Sequence, residues 1–410
     1  MPLLDNRTDD PISELPLRKG GDRLRPRLPF DDLRRRGPLL RFVYPNGVVG
    51  WLTTDAELFR AVLSDPRFHA KRFAGEPQTG AVSVTVPEMP GFIPGMNGPE
   101  HLRVRRLAAG DFSVKRIRDM QPLIAAVVSR YLDAIEAAGP PVDLYAALCL
   151  PVPSEVIALI LGVPGAHARE FQDAARLTVG GQAGTSEPGA AALAVARLHE
   201  IIAAVAAEKR GRPADDLLTR LVSADPPLSD AEICGLCTNL LIAGHESTSS
   251  TAALSVVELL QQPRQLDVLK NNPERLPQFV EELARMRTIL VDAGAGIPRL
   301  ATEDVEVAGH LIAAGEWVML SNGMANVDPS VCPHDPLTLD FSRMERPSSL
   351  TFGFGPHTCL GQHLARAELQ AILGGLFRRI PGLRLDSAPQ ELPWLENGFG
   401  YRVAELPVTW

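Results

Sequence analysis

Cys359 has the surroundings that point most directly to chemistry. It lies in the run Phe352-Gly353-Phe354-Gly355-Pro356-His357-Thr358-Cys359-Leu360-Gly361. Glycines at 353, 355 and 361 allow backbone conformations and close approaches that a Cβ would forbid. The periodicity predicts a helix from Gln362 to about Phe377, and its N-terminal N–H groups would favour a thiolate over a thiol. Phe352 and Phe354 would shield that sulfur from water. A cysteine thiolate presented in this way suits the axial ligand of a haem iron, where it pushes electron density toward O–O cleavage. The competing reading is a buried structural cysteine after a glycine-rich turn, the usual role of a lone free cysteine.

A second group sits in the middle of a long helix. Ser229-x-x-Glu232 reads as a capping box, and the periodic stretch continues to about Gln262, before Pro263. That is about 34 residues, or ~50 Å. Its centre reads Ala243-Gly244-His245-Glu246-Ser247-Thr248. A helical glycine is about 1 kcal/mol worse than alanine, so the small Ala243-Gly244 pair calls for a flat group or dioxygen lying against it. Glu246, Ser247 and Thr248 are the candidate catalytic residues. Heterolytic O–O cleavage consumes two protons, which a dry pocket must supply through positioned side chains or water. The competing reading is a solvated polar step on a surface helix.

The pattern Phe-Gly-x-Gly-x-His-x-Cys-x-Gly resembles the haem-binding signature of the cytochrome P450 monooxygenases, and the resemblance covers essentially the whole chain from about residue 30. It implies a mainly α fold with small β-sheet regions and a long central helix over a buried haem. It implies a single domain over 30–410 after a surface segment, 1–29. The cofactor would be haem b, iron protoporphyrin IX, with the Cys359 thiolate as metal ligand and with Phe352, Gly353, Gly361, Ala243 and Gly244 against it. His101, Arg105, Arg299 and His357 match the family's propionate-binding positions. Glu246 and Ser247 match its acid–alcohol pair. Relatives most often carry Thr where this chain has Ser247, so oxygen activation is expected to persist with more uncoupling. Glu282-x-x-Arg285 matches a structural ion pair of the family, whose third partner here would be Arg343, Arg346 or Ser349.

The resemblance further implies O2 as co-substrate and electrons from NAD(P)H. The chain carries no P-loop, Rossmann fingerprint, flavin or iron–sulfur segment, so a separate ferredoxin and ferredoxin reductase are the expected partners. Arg103, Arg106, Lys115, Arg116 and Arg366 are the basic residues that would receive an acidic partner. The substrate pocket is expected to include Phe92, Ile242, Ile289, Leu290 and Phe399, which are apolar and imply a bulky, largely apolar small molecule. The wording of the motifs looks most like actinobacterial enzymes that tailor secondary metabolites such as polyketides, macrolides and peptides. Hydroxylation is the default reaction, with epoxidation or oxidative C–C coupling as alternatives. A haem-thiolate sensor without turnover would share Cys359 but leave Glu246 and Ser247 idle. A peroxide-driven peroxygenase would replace that pair.

The bulk numbers agree with such a class. The chain has 410 residues, 45% of them hydrophobic and 22% charged, enough to bury a core around a cofactor. A net charge of −8 argues against a general nucleic-acid binder. No signal peptide is expected from the first residues and no apolar run is long enough to cross a membrane, so a cytoplasmic location is expected; a monomer is expected as well. The five cysteines are scattered, which suits a reducing compartment. Cys234-x-x-Cys237 lies in an apolar helical pattern with no further metal ligands at suitable spacing, and reads as core packing.

The elements that must position these groups follow from periodicity. Leu39–Tyr44 and Val48–Leu52 flank Pro45-Asn46-Gly47 as a hairpin. Thr54-x-x-Glu57 reads as a capping box opening a helix to about Leu63, and 72–98 as a long loop. Helices are expected near 100–110, 117–137, 151–162, 167–178, 189–208, 215–222, 229–262, 264–271, 276–288 and 362–377, with strands around 303–320 and 399–409.

Overall fold

Leu39–Val43 (β1) and Val49–Thr53 (β2) pair antiparallel as the hairpin pattern predicts, with Phe42 opposite Gly50. In this computed structural model the described residues are 11–12, 30–44, 47–70, 89–165, 167, 170–171, 173–174, 190–286, 296–342, 349–397 and 400–410. The chain divides into two compact units. One takes in Met1–Thr85, Gln261–Cys359 and Glu396–Arg402, and the other Val86–Leu260, Leu360–Leu395 and Val403–Trp410.

The first unit is built on a five-stranded sheet. Between the hairpin and Ile297–Ala301 (β5) lies Trp317–Leu320 (β8), parallel to β2 and antiparallel to β5, and Phe68–His69 (β3) closes the far edge. Arg299 lies inside β5, so this strand begins earlier than the hydrophobic pattern suggests. Its burial alternates only in part, which weakens the period-two signal. Trp51, Phe59, Val62, Val318 and Leu320 form the core over one face of the sheet. Helix α2, Ala56–Ser64, is capped by Asp55, whose carboxylate accepts from Leu58 N–H at 2.7 Å. The expected capping box at Thr54 does not form, because the Thr54 hydroxyl donates to the Gly37 carbonyl at 2.7 Å instead.

The second unit is mainly helical. Gly98–Ala109 (α3), Val114–Ala138 (α4), Pro151–Leu161 (α5), Ala190–Gly211 (α6), Leu217–Val222 (α7), Asp230–Gln261 (α8) and Gln362–Arg379 (α12) make up most of it. Pro263–Asn271 (α9), Leu276–Met286 (α10) and Asn322–Asn326 (α11) belong to the first unit. The capping box at the start of α8 is reciprocal: Ser229 N–H donates to Glu232 at 2.8 Å and Glu232 N–H to the Ser229 hydroxyl at 3.2 Å. Pro263 both stops α8 and opens α9 at its first turn, where its missing N–H is harmless. At 32 residues, α8 is about 48 Å long. It is buried around almost its whole circumference, which explains its lack of a polar face. Of the predicted helix over 167–178, most lies outside the described residues.

Candidate active site

In the first unit the Cys359 loop is held by its own backbone. Cys359 N–H donates to the Phe352 carbonyl at 2.8 Å, and Gly353 N–H to Leu350 at 2.9 Å. Gly355–His357 form a 3₁₀ turn, and the Thr358 hydroxyl donates to the Gly355 carbonyl at 2.7 Å. Two glycines make this path possible. Gly353 has φ +73° and Gly355 φ +68°, and a Cβ on Gly355 would lie 2.6 Å from the Leu63 carbonyl oxygen of α2. Gly361, by contrast, N-caps α12 with ordinary φ and has open space where a Cβ would go. The consequence is an accessible sulfur. Cys359 is exposed, whereas Cys149, Cys234, Cys237 and Cys332 are buried. Burial pushes the Cys149, Cys234 and Cys237 thiols up, which keeps them inert. Cys234 and Cys237 face the core of the second unit, in keeping with a packing role.

Arg299 supplies the second signal. Its side chain is almost fully buried and donates to the Pro298 carbonyl at 2.9 Å. Among the described residues no carboxylate pairs with it, and burial alone pushes its pKa down to about 10. A buried cation without an anion is costly, and an anionic group brought by a cofactor would relieve it.

The same unit holds Glu282 and Arg285 as a bidentate pair on α10, at 2.8 Å for both contacts. Both are buried. The other Arg285 nitrogen donates to the carbonyls of Asn326 and Pro336 at 3.2 and 2.7 Å. Ser349 stands one step further out, on the Asn326 amide oxygen at 3.3 Å. Arg343 and Arg346 lie outside the described residues.

In the second unit α8 carries a narrow accessible stripe. Ala243, Gly244, Ser247 and Thr251 are partly or fully exposed, while Ile242, His245, Glu246 and Thr248 beside them are buried. The spacing of four places 243, 247 and 251 on one face. A Cβ at Gly244 would meet only Ile157, at an ordinary 3.8 Å, so protein packing does not demand glycine there. The Ser247 hydroxyl donates to the Ala243 carbonyl at 2.6 Å, and Thr251 repeats the pattern onto Ser247 at 2.8 Å. Ser247 thus keeps its lone pairs toward the stripe. Glu246 stays buried on the adjoining face. On α3, His101 is buried and Arg105 half-buried, one turn apart on the same face.

Phe92 is buried and opens the 3₁₀ turn Ile93–Gly95, its carbonyl accepting from Gly95 N–H at 3.1 Å. Ile289, Leu290 and Phe399 lie outside the described residues, as do 72–88 of the expected loop. Two of the proposed docking cations are already engaged within the unit: Arg103 pairs with Glu232, and Arg116 with Asp215 at 2.8 Å. Arg106 and Lys115 remain exposed. Arg366 lines a cleft of about 220 Å³ between α4 and α12, together with Arg118, His363, Val114 and Ile117. Arg118 was missed, since a lone arginine on an amphipathic helix carries no signal of its own.

Glu368 was missed too. It is 2% exposed on α12 and receives the Thr248 hydroxyl of α8. Its spacing from Leu364 and Ile372, four residues each way, places it on the apolar face, and an acid there was a legible anomaly.

These side chains fit a thiolate-ligated haem. The first unit carries an exposed sulfur and a buried cation that has no carboxylate partner among the described residues, and the second a stripe of small residues with an acid and an alcohol beside it. The comparisons agree. Residues 192–381 match the family model described as Cytochrome P450. Nocardicin C N-oxygenase of Nocardia uniformis subsp. tsuyamanensis is 42% identical over 93% of this chain and 94% of its own length. Vitamin D3 dihydroxylase of Streptomyces griseolus is 40% identical over 91% of each. The solved LnmA cytochrome P450 hydroxylase from the leinamycin pathway of Streptomyces atroolivaceus superposes with a TM-score of 0.85 at 34% identity, covering 97% of this chain and 100% of that one. Among the described residues no helix is long and apolar enough to cross a membrane. With identity this high over nearly its full length, the chain belongs to the cytochrome P450 family of monooxygenases.

Proposed function

We propose that the chain binds haem b through the Cys359 thiolate and inserts one oxygen atom from O2 into a bulky, largely apolar secondary metabolite, with hydroxylation as the reaction. The observation that carries this reading is the single exposed thiol, set on a glycine loop whose backbone is tied at both ends. Bound haem supplies the activation of dioxygen. The chain supplies the rest. Arg299, with His101, Arg105 and His357, holds the propionates. Ala243 and Gly244 leave room beside α8, Ser247 relays protons by accepting one on an oxygen lone pair and releasing its own hydroxyl proton, and Glu246 is their buried source. Glu282 and Arg285 brace the segment that leads into the loop.

Substrate class rests on the relatives. One is named for N-oxygenation of nocardicin C, another for dihydroxylation of vitamin D3, and a third belongs to the leinamycin pathway. The buried apolar Phe92 and Ile242 suit a pocket of that character. Electrons come from NAD(P)H through a separate ferredoxin and its reductase, and the cleft lined by Arg118, His363 and Arg366, with exposed Lys115 nearby in sequence, offers that acidic partner a cationic surface.

The test is the visible spectrum of purified protein, ferric and then reduced under CO, beside Cys359→His. A strongly red-shifted CO band in the wild type alone supports the ligand. Its absence after haem reconstitution overturns it. Product analysis with ferredoxin, reductase and a natural-product panel then separates hydroxylation from epoxidation and C–C coupling.

A further inference from the structure

We propose that His245 is a positioning residue for oxygen activation, its ring bonded to Ser154 so that α8 holds one rotation at Glu246 and Ser247. This rests on the monooxygenase reading above. It adds two residues outside the haem contacts and outside the Glu246–Ser247 pair.

Three observations meet at this ring, all within the second unit. His245 on α8 and Ser154 on α5 are both 2% exposed, and Ser154 Oγ meets His245 Nδ1. A serine has one hydroxyl proton, and Ser154 gives it to the Leu150 carbonyl at 2.8 Å. His245 is therefore the donor, and its proton sits on Nδ1. The backbone of the same residue is engaged as well. The Ser249 hydroxyl donates to the His245 carbonyl at 2.5 Å, between the matching bonds of Ser247 onto Ala243 and Thr251 onto Ser247. Hydroxyls bonded in this way tend to bend a helix, and all three lie in the stretch that carries the accessible stripe. Finally, the neighbouring contact is apolar. Ile157, one turn on from Ser154 along α5, stands 3.8 Å from where a Cβ on Gly244 would lie, and Ala158 and Leu161 on the same side of α5 are buried.

A glycine against an isoleucine gives contact without direction, so it leaves the rotation of α8 loosely set. A hydrogen bond has a preferred length and angle, and one buried polar pair in an apolar helix contact serves to fix register. The consequence reaches the reacting groups. Glu246 and Ser247 follow His245 by one and two residues, and an atom about 6 Å from a helix axis moves ~1 Å for every ~10° of rotation. A misplacement of about 1 Å costs on the order of 10²-fold in rate. A pair that served packing alone would be replaceable by two apolar side chains with little effect.

The test uses the purified holoprotein, reduced and CO-bound, without substrate. In protein carrying isotope-labelled histidine, the imidazole NMR signal that is lost in His245→Asn is expected to show the proton on Nδ1. In His245→Asn the amide nitrogen stands where Nδ1 stood, and in His245→Gln where Nε2 stood. The infrared C–O band of the same state reads the polar groups beside the iron. It should match the wild type in His245→Asn and shift or split in His245→Gln and Ser154→Ala, all three keeping the red-shifted visible band. With a panel compound that gives product, product per NADPH should fall several-fold in His245→Gln and in Ser154→Ala and stay near wild type in His245→Asn. Combining His245→Gln with Ser154→Ala should lower it no further, because both remove one bond. A proton on Nε2 alone, or a Ser154→Ala protein with the wild-type C–O band, would sink the proposal even if His245→Gln failed to fold. A missing red-shifted band in the wild type would instead sink the haem reading.

Discussion

The Cys359 loop and the middle of α8 expose their side chains by opposite means. The loop exposes a sulfur by bending the backbone through positive φ at Gly353 and Gly355, and it holds that path with hydrogen bonds to its own carbonyls. Helix α8 keeps regular geometry and opens a stripe by shrinking side chains at Ala243, Gly244 and Ser247, while Ile242, His245, Glu246 and Thr248 beside them stay buried. A ligand must be placed to a fraction of an ångström, which rigid backbone does best. Proton donors need a dry wall with one narrow opening, which a buried helix provides.

The largest effect should come from the loop. Cys359→His is expected to abolish the red-shifted CO band and all O2-driven product, because imidazole does not push electron density as thiolate does. Product above background in that variant would show that the thiolate is dispensable.

On the helix, Glu246→Gln should lower coupled product by about 10²–10⁴-fold, with excess NADPH consumption appearing as peroxide, yet leave the CO spectrum intact. The contrast between the regions fails if this variant loses haem instead.

Gly355→Ala should act on the fold. Positive φ alone costs roughly 1–2 kcal/mol, and the clash with Leu63 adds to it, so the melting temperature of the holoprotein should drop by several degrees with poor haem incorporation. The matching change on α8, Gly244→Ala, meets only Ile157 among protein atoms. It should leave apoprotein stability unchanged or slightly raised while weakening haem binding. Equal damage to apoprotein from both would remove the distinction.

Arg299→Met separates stability from cofactor binding in one residue. Removing a buried cation that lacks a carboxylate among the described residues should stabilise the apoprotein and weaken haem affinity about tenfold, the value of roughly 1.4 kcal/mol in one lost charged contact. Titration of apoprotein with haemin checks both signs.

The smallest effect is expected from Ser247→Thr. The serine already points its hydroxyl at the Ala243 carbonyl, and a methyl would narrow its rotamers. Coupling should improve by no more than about threefold.

Much of this was legible from residue order. The Cys359 signature, the capping box at Ser229 and Glu232, and the run through Thr248 are local patterns, and local backbone preference is enough to build them. The 3.6-residue period likewise marked nearly every described helix to within a few residues. Where a local rule failed, tertiary bonding had overridden it. Thr54 lost its capping role to the Gly37 carbonyl, and β5 extended back past Arg299 because β8 was there to pair with it. What no local pattern carries is the environment of a charge. Arg103 and Arg116 resemble Arg106 in sequence, yet only the fold places Glu232 and Asp215 beside the first two. Arg299 and Glu368 became informative only once the structure showed, among the described residues, one as a buried cation without a carboxylate and the other as a buried acid bonded to a hydroxyl. Sequence spacing determines which groups share a loop or a helix face. Desolvation depends on everything packed around them from distant parts of the chain, and only the tertiary structure decides it.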